Sequence, residues 1–133
     1  MKYIPKDRYV MVYPGEDTLV LVNIDKFLTR LKNDDPDFYV GVDTKVKSSQ
    51  ERIKKSMDYI TNYGENPKML HPKTGERWDN YDVMFEPTEA SIYNGKIGIR
   101  NGRHRMVALK NLGFTHAYIE VPKEQKDLFT SLA

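Results

Sequence analysis

Between Ser91 and Val121 the chain has very few ways to fold. A strand beginning at Ser91 and a second at Lys96 to Arg100 flank Asn94-Gly95, two residues that tolerate positive φ, so the segment predicts a hairpin closed by a tight primed turn. The second strand runs straight into Asn101-Gly102-Arg103-His104-Arg105, and a helix follows. Met106, Leu109 and Leu112 give that helix an apolar face, Gly113 supplies a left-handed stop, and Phe114 stands where a Schellman cap makes its apolar contact. His116 to Val121 then alternates and ends at Pro122, as a strand returning to the sheet does. A glycine at a strand-to-helix corner lets backbone approach a ligand closely, and the free N–H groups of a helix start carry partial positive charge. With Arg103, His104 and Arg105 on the same corner, the pattern predicts a phosphate site.

The rest of the chain reads as the frame for that corner. Thr18 to Ile24 is rich in Leu and β-branched residues and reads as a buried strand. Asp25 is placed to cap a following helix with Phe27, Leu28 and Leu31 on its apolar stripe, stopped by Asn33-Asp34-Asp35-Pro36. Asp37 to Lys47 has no clear period. Ser48 and Glu51 form a capping-box pattern, after which Ile53, Met57 and Ile60 recur at helical spacing as far as Gly64. The other face of that helix carries Arg52, Lys54 and Lys55, a solvated surface on the simplest reading and a DNA-facing one on the alternative. Glu65 to Asn80 reads as a long loop, in which Trp78 either pins the loop to the core or stacks on a base or ring. Tyr81 to Phe85 alternates like a half-buried strand, and Glu86-Pro87-Thr88-Glu89 breaks the run. The last dozen residues read as a short helix.

At 133 residues the chain is expected to form a single α+β domain, residues 1–133, with a small mixed sheet and packed helices. The lack of cysteine removes disulfides, thiolate metal sites and a cysteine nucleophile. A net charge of +2 is too mild to point to nucleic acid by itself. No apolar run approaches the ~20 residues of a membrane span, and the first residues lack the apolar region of a signal peptide, so a cytoplasmic protein with no membrane partner is expected.

The run IGIRNGRHRMVALKNLGFTHAYIEV, preceded by a strand and two helices in this order, resembles the ParB/sulfiredoxin superfamily. In that fold a strand enters a Gly-x-His-Arg corner or a close variant, followed by a helix, Leu-Gly and a final strand. The resemblance implies that Gly102, His104 and Arg105 hold nucleotide phosphates, with Asn101 opening the corner. Arg103 either tracks the same phosphate or points to solvent. Arg105 can fork onto two phosphate oxygens, and His104 can donate in either protonation state. The alternative is that His104 is an ordinary helix-start residue and Arg105 pairs with a sheet carboxylate such as Glu120.

Departures from the family narrow the branch. Sulfiredoxins carry their reactive cysteine where this chain has Arg103, which removes sulfinic acid repair. The length leaves no room for the DNA reader and dimerisation domain of the chromosome-partitioning proteins. A closer resemblance is to small stand-alone members, in particular the plasmid fertility-inhibition factors, with nucleotide-using serine kinases as a further branch. That resemblance implies ATP or another nucleotide and Mg²⁺ as cofactors, and NTP or phosphodiester hydrolysis of the ATPase or DNase type. Hydrolysis needs an acid near the reacting phosphorus. Glu86 and Glu89, with His104, are the first catalytic candidates, and Asp17 and Asp25 the next. His71 and His116 form no metal-ligand spacing, and no zinc is expected. The alternative function is a non-catalytic module that holds a nucleotide or DNA backbone and blocks or regulates a protein partner.

Overall fold

The computed structural model describes residues 1–61 and 85–133. The expected loop with Trp78 and His71, the Gly64 stop and most of the Tyr81 to Phe85 strand lie outside them. Four strands form one mixed sheet: β1 (Asp17–Asn23), β2 (Thr88–Tyr93), β3 (Lys96–Asn101) and β4 (His116–Pro122), in the order β1-β4-β2-β3. β1 pairs antiparallel with β4, and β2 pairs antiparallel with β3 through the Asn94-Gly95 turn, where both residues have positive φ. β2 meets β4 in parallel, with Thr88 opposite Ile119 and Glu89 opposite Glu120. Glu86 and Pro87 lie outside the strands, as the expected break implies, but the break ends two residues earlier than expected. Thr88 and Glu89 already belong to β2, because pairing with β4 gives their backbone a ladder that no local pattern advertises.

Three α-helices complete the frame: α1 (Ile24–Asp34), α2 (Lys47–Thr61) and α3 (Arg103–Asn111). Phe27, Leu28 and Leu31 of α1 are buried as their spacing predicts, together with Ile24, which opens the helix instead of ending the strand. The cap is Asn23, whose side chain accepts from the Lys26 N–H at 3.0 Å, and not Asp25. Asp25 lies two residues past the cap, inside the first turn, and instead pairs with Lys110 at 2.6 Å. α2 also starts earlier than its capping box implies: Gln50 N–H already donates to the Val46 carbonyl, so Ser48 lies inside the first turn. α3 ends as expected. Gly113 is left-handed, its N–H donates to Lys110, and the Phe114 N–H donates to Leu109, the paired bonds of a Schellman cap. The C-terminal residues Lys123–Leu132 form a 3-10 helix that buries Phe129 and Leu132.

Val22, Ala117, Ile119 and Val121 enter one core with Phe27, Leu31, Met106 and Leu109. Tyr118 and Glu120 alternate with these β4 residues and point to the opposite face of the sheet. There the N-terminal segment covers them: the Tyr118 ring meets Tyr9 edge-on at 5.6 Å, and Glu120 accepts from the Val12 and Tyr13 N–H groups at 2.7 and 3.0 Å. Arg100 reaches from β3 to Asp17 on β1, at 3.0 Å. No helix among the described residues is long and apolar enough to cross a membrane.

Candidate functional site

The corner forms where β3 ends and α3 begins, and Gly102 makes it possible. Its φ of 91° is left-handed, and a Cβ there would lie 3.0 Å from the Thr88 Cα and 3.0 Å from an Arg105 nitrogen. Only glycine accepts both the conformation and the close approach. The Thr88 hydroxyl donates to the Gly102 carbonyl at 2.8 Å and ties the corner to β2. Among the described residues no side chain caps the helix start, and its first turn contains no acid, so its leading N–H groups have no acceptor there.

The three cationic residues separate into distinct roles. Arg105 is largely inside: one terminal nitrogen donates to the carbonyls of Glu86 and Pro87 at 3.1 and 2.8 Å, and the other lies 3.5 Å from the Glu86 carboxylate. Burial pushes its pKa down, and the neighbouring Glu86 and Glu89 charges oppose that shift. Its acid partner is thus Glu86, not Glu120, whose oxygens are occupied by the Val12 and Tyr13 amides. Arg103 turns the other way and donates to the Phe38 carbonyl at 2.6 Å. His104 Nε2 lies 3.0 Å from the Ser49 hydroxyl in the first turn of α2. Burial, then the Arg52 and Arg103 charges, hold the His104 pKa below its ordinary value, so the imidazole is neutral near pH 7.

The His104–Ser49 contact brings two helix starts together. Neither α2 nor α3 has an acid in its first turn, so the partial positive charges of both ends add with Arg52 and Arg103. On the Arg105 side of the corner a cleft of about 210 Å³ is lined, among the described residues, by Lys55, Ser56, Tyr59, Phe85, Glu86 and Arg105. Arg52 and Lys55, read from the sequence as a solvated face, therefore border the corner while remaining exposed.

Only one of the expected acids lies in this cleft. Glu86 lines it. Glu89 is buried, lies opposite Asn101 across the hairpin, and lines a separate cleft of about 390 Å³ with Val12, Tyr13, Glu16 and Arg100. Asp17 lies beneath Arg100, Asp25 pairs with Lys110, and His116 Nδ1 is 2.8 Å from the Thr115 hydroxyl. None of these three lines the cleft beside Arg105. Sequence reasoning missed Ser49, Thr88 and Phe38. Ser49 was detectable only as a polar residue in a helix start, and Phe38 lies in a segment without periodicity.

No family model matches the chain, nor does any curated protein or solved structure. A functional reading of the corner therefore stands on its geometry and chemistry.

Proposed function

We propose that the junction of α2 and α3 binds the phosphate of a nucleotide or nucleic acid, in the manner of a small ParB-like module. The observation that carries this reading is the pair of acid-free helix starts joined by His104 and Ser49 at 3.0 Å, with Arg52 and Arg103 beside them. The Arg103 and His104 N–H groups, which have no acceptor among the described residues, would orient an anion, and the two guanidinium groups supply charge that no carboxylate among those residues cancels. Arg105 acts one layer back. It holds the Glu86-Pro87 carbonyls against the corner, and Gly102 lets the backbone come close.

Mg²⁺ fits this site as an ion carried by the phosphates. Among the described residues no three His, Asp or Glu side chains converge into a cage, and Mg²⁺ commonly takes one or two carboxylates with phosphate oxygens and water. On this reading Glu86, which lines the cleft beside Arg105, would be the carboxylate that holds it. When bound, the ion neutralises phosphate charge. Hydrolysis of the bound phosphate is a second reading, favoured by that position of Glu86, with His104 as the group that moves a proton.

Calorimetry with ATP, ADP and CTP tests the binding reading. The double variant Arg52→Ala/Arg103→Ala should lower affinity at least tenfold, and affinity for a nucleic-acid strand should fall steeply with salt. Unchanged affinity in the double variant overturns the site. Turnover with Mg²⁺ that is lost in Glu86→Gln while binding is retained would support hydrolysis; binding without turnover leaves a module.

A further inference from the structure

We propose that Phe38 is a stacking platform for an unpaired nucleobase whose phosphate occupies the α2–α3 junction. The inference rests on the phosphate reading above and adds the part of the ligand that reading leaves open. Phe38 is 64% exposed, unusual for a phenylalanine, and its ring centroid lies 5.7 Å from the Arg103 guanidinium carbon. Its backbone is anchored at its own carbonyl and at the next residue. The Phe38 carbonyl accepts from Arg103, and the next residue, Tyr39, packs against the core with Lys32 5.8 Å from its ring. The ring thus stands on anchored backbone, held out beside the corner by the same arginine that borders the phosphate site.

The chemistry of the neighbours selects the occupant. Along this surface run Phe38, Arg103, then His104 and Ser49, with Arg52 adding charge at His104. One apolar ring at the end of a cationic row fits a ligand with a flat π-face joined to an anion. A nucleobase borne on a phosphate is such a ligand: aromatic side chains stack bases with little sequence preference, and arginine adds a cation–π contribution. A base inside a duplex is already stacked and does not offer its face, so the base must be unpaired. The free nucleotide and the single strand share this chemistry, and the experiment separates them.

The test compares the wild-type chain with Phe38→Ala and Phe38→Tyr against inorganic tripolyphosphate, ATP, a short oligothymidine and a duplex of equal length. Because Arg103 is held by the Phe38 backbone carbonyl, Phe38→Ala leaves that anchor in place. The expected result is a roughly tenfold loss for the base-bearing ligand in Phe38→Ala, recovery in Phe38→Tyr, and no change for tripolyphosphate. A loss confined to ATP identifies the free nucleotide, and a larger loss for oligothymidine identifies the strand. Equal affinity of wild type and Phe38→Ala for ATP and oligothymidine, with tripolyphosphate still bound, overturns the stacking role and leaves the phosphate site standing. A duplex bound as tightly as oligothymidine, with the same loss in Phe38→Ala, also overturns it. If tripolyphosphate, ATP and oligothymidine all fail to bind, the phosphate reading falls, and the platform with it.

Discussion

Two α-helices among the described residues, α1 and α3, follow a strand, and they start in opposite ways. α1 is self-sufficient: Asn23 caps the Lys26 N–H, and Asp25 sits in the first turn with Lys110 as its partner. α3 has neither device. Its cap position is a left-handed glycine, its first turn reads Arg103-His104-Arg105, and among the described residues no side chain accepts from its leading amides. The first arrangement cancels the positive end of the helix with the chain's own groups, and the second leaves it for a ligand. If the proposed site binds, stability and binding fall to different helix starts, and substitutions at the two should have different signatures.

The largest effect is expected behind the corner. Arg105→Ala leaves two carbonyls and the Glu86 carboxylate without their guanidinium partner in a largely buried place, which should cost about 3–5 kcal/mol. Urea denaturation measures it; a loss below about 1 kcal/mol would mean that the corner does not depend on this residue.

A pH series offers a check away from both helix starts. Burial first, and then hydrogen bonding from Asp17, push the Glu120 pKa up to about 7, against the opposing Val12 and Tyr13 amides. The folded chain therefore binds a proton that the unfolded chain releases near pH 4.5, so this contribution is complete below that pH and lost as pH rises towards 7. It is worth roughly 3 kcal/mol. Glu120→Gln should flatten that slope in thermal unfolding. His104 has the opposite sign: its folded pKa is lowered, so its contribution is lost as pH falls below 6.5. A bound phosphate favours the imidazolium, so affinity should rise on acidification, and His104→Asn should remove that rise.

Smaller changes separate the two helix starts. Gly102→Ala forces a side chain into a left-handed position against the Thr88 backbone and should cost about 2 kcal/mol. Asn23→Ala should cost about 1 kcal/mol through the lost cap and leave phosphate affinity unchanged. His104→Asp gives α3 the kind of first-turn acid that α1 already has. It should add up to about 0.5 kcal/mol to the helix while lowering phosphate affinity by about tenfold. Equal effects of Asn23→Ala and His104→Asp on affinity would break the distinction.

What was legible in the sequence was local. The hairpin, the Gly102 corner, the α3 stop at Gly113 and the apolar stripes of α1 and α3 all follow from spacing within one turn or one ladder. Partner choice did not follow. Arg105 meets carbonyls 18 and 19 positions earlier, and Glu89 enters β2 because β4, from beyond α3, lies beside it. The Asn23 cap was missed because Asp25 is an equally good capping residue type, and the choice depends on where β1 ends and the helix begins. Phe38 gave no periodic signal because it belongs to a segment placed by contacts at Arg103 and Tyr39 rather than by its own backbone pattern.

The most direct measurement is an amide-resolved NMR titration with inorganic tripolyphosphate. The account predicts saturating shifts of the Arg103 and His104 amides, with Asp25 and Lys26 unmoved. Shifts of equal size at both helix starts, or none at Arg103 and His104 at millimolar ligand, would contradict it.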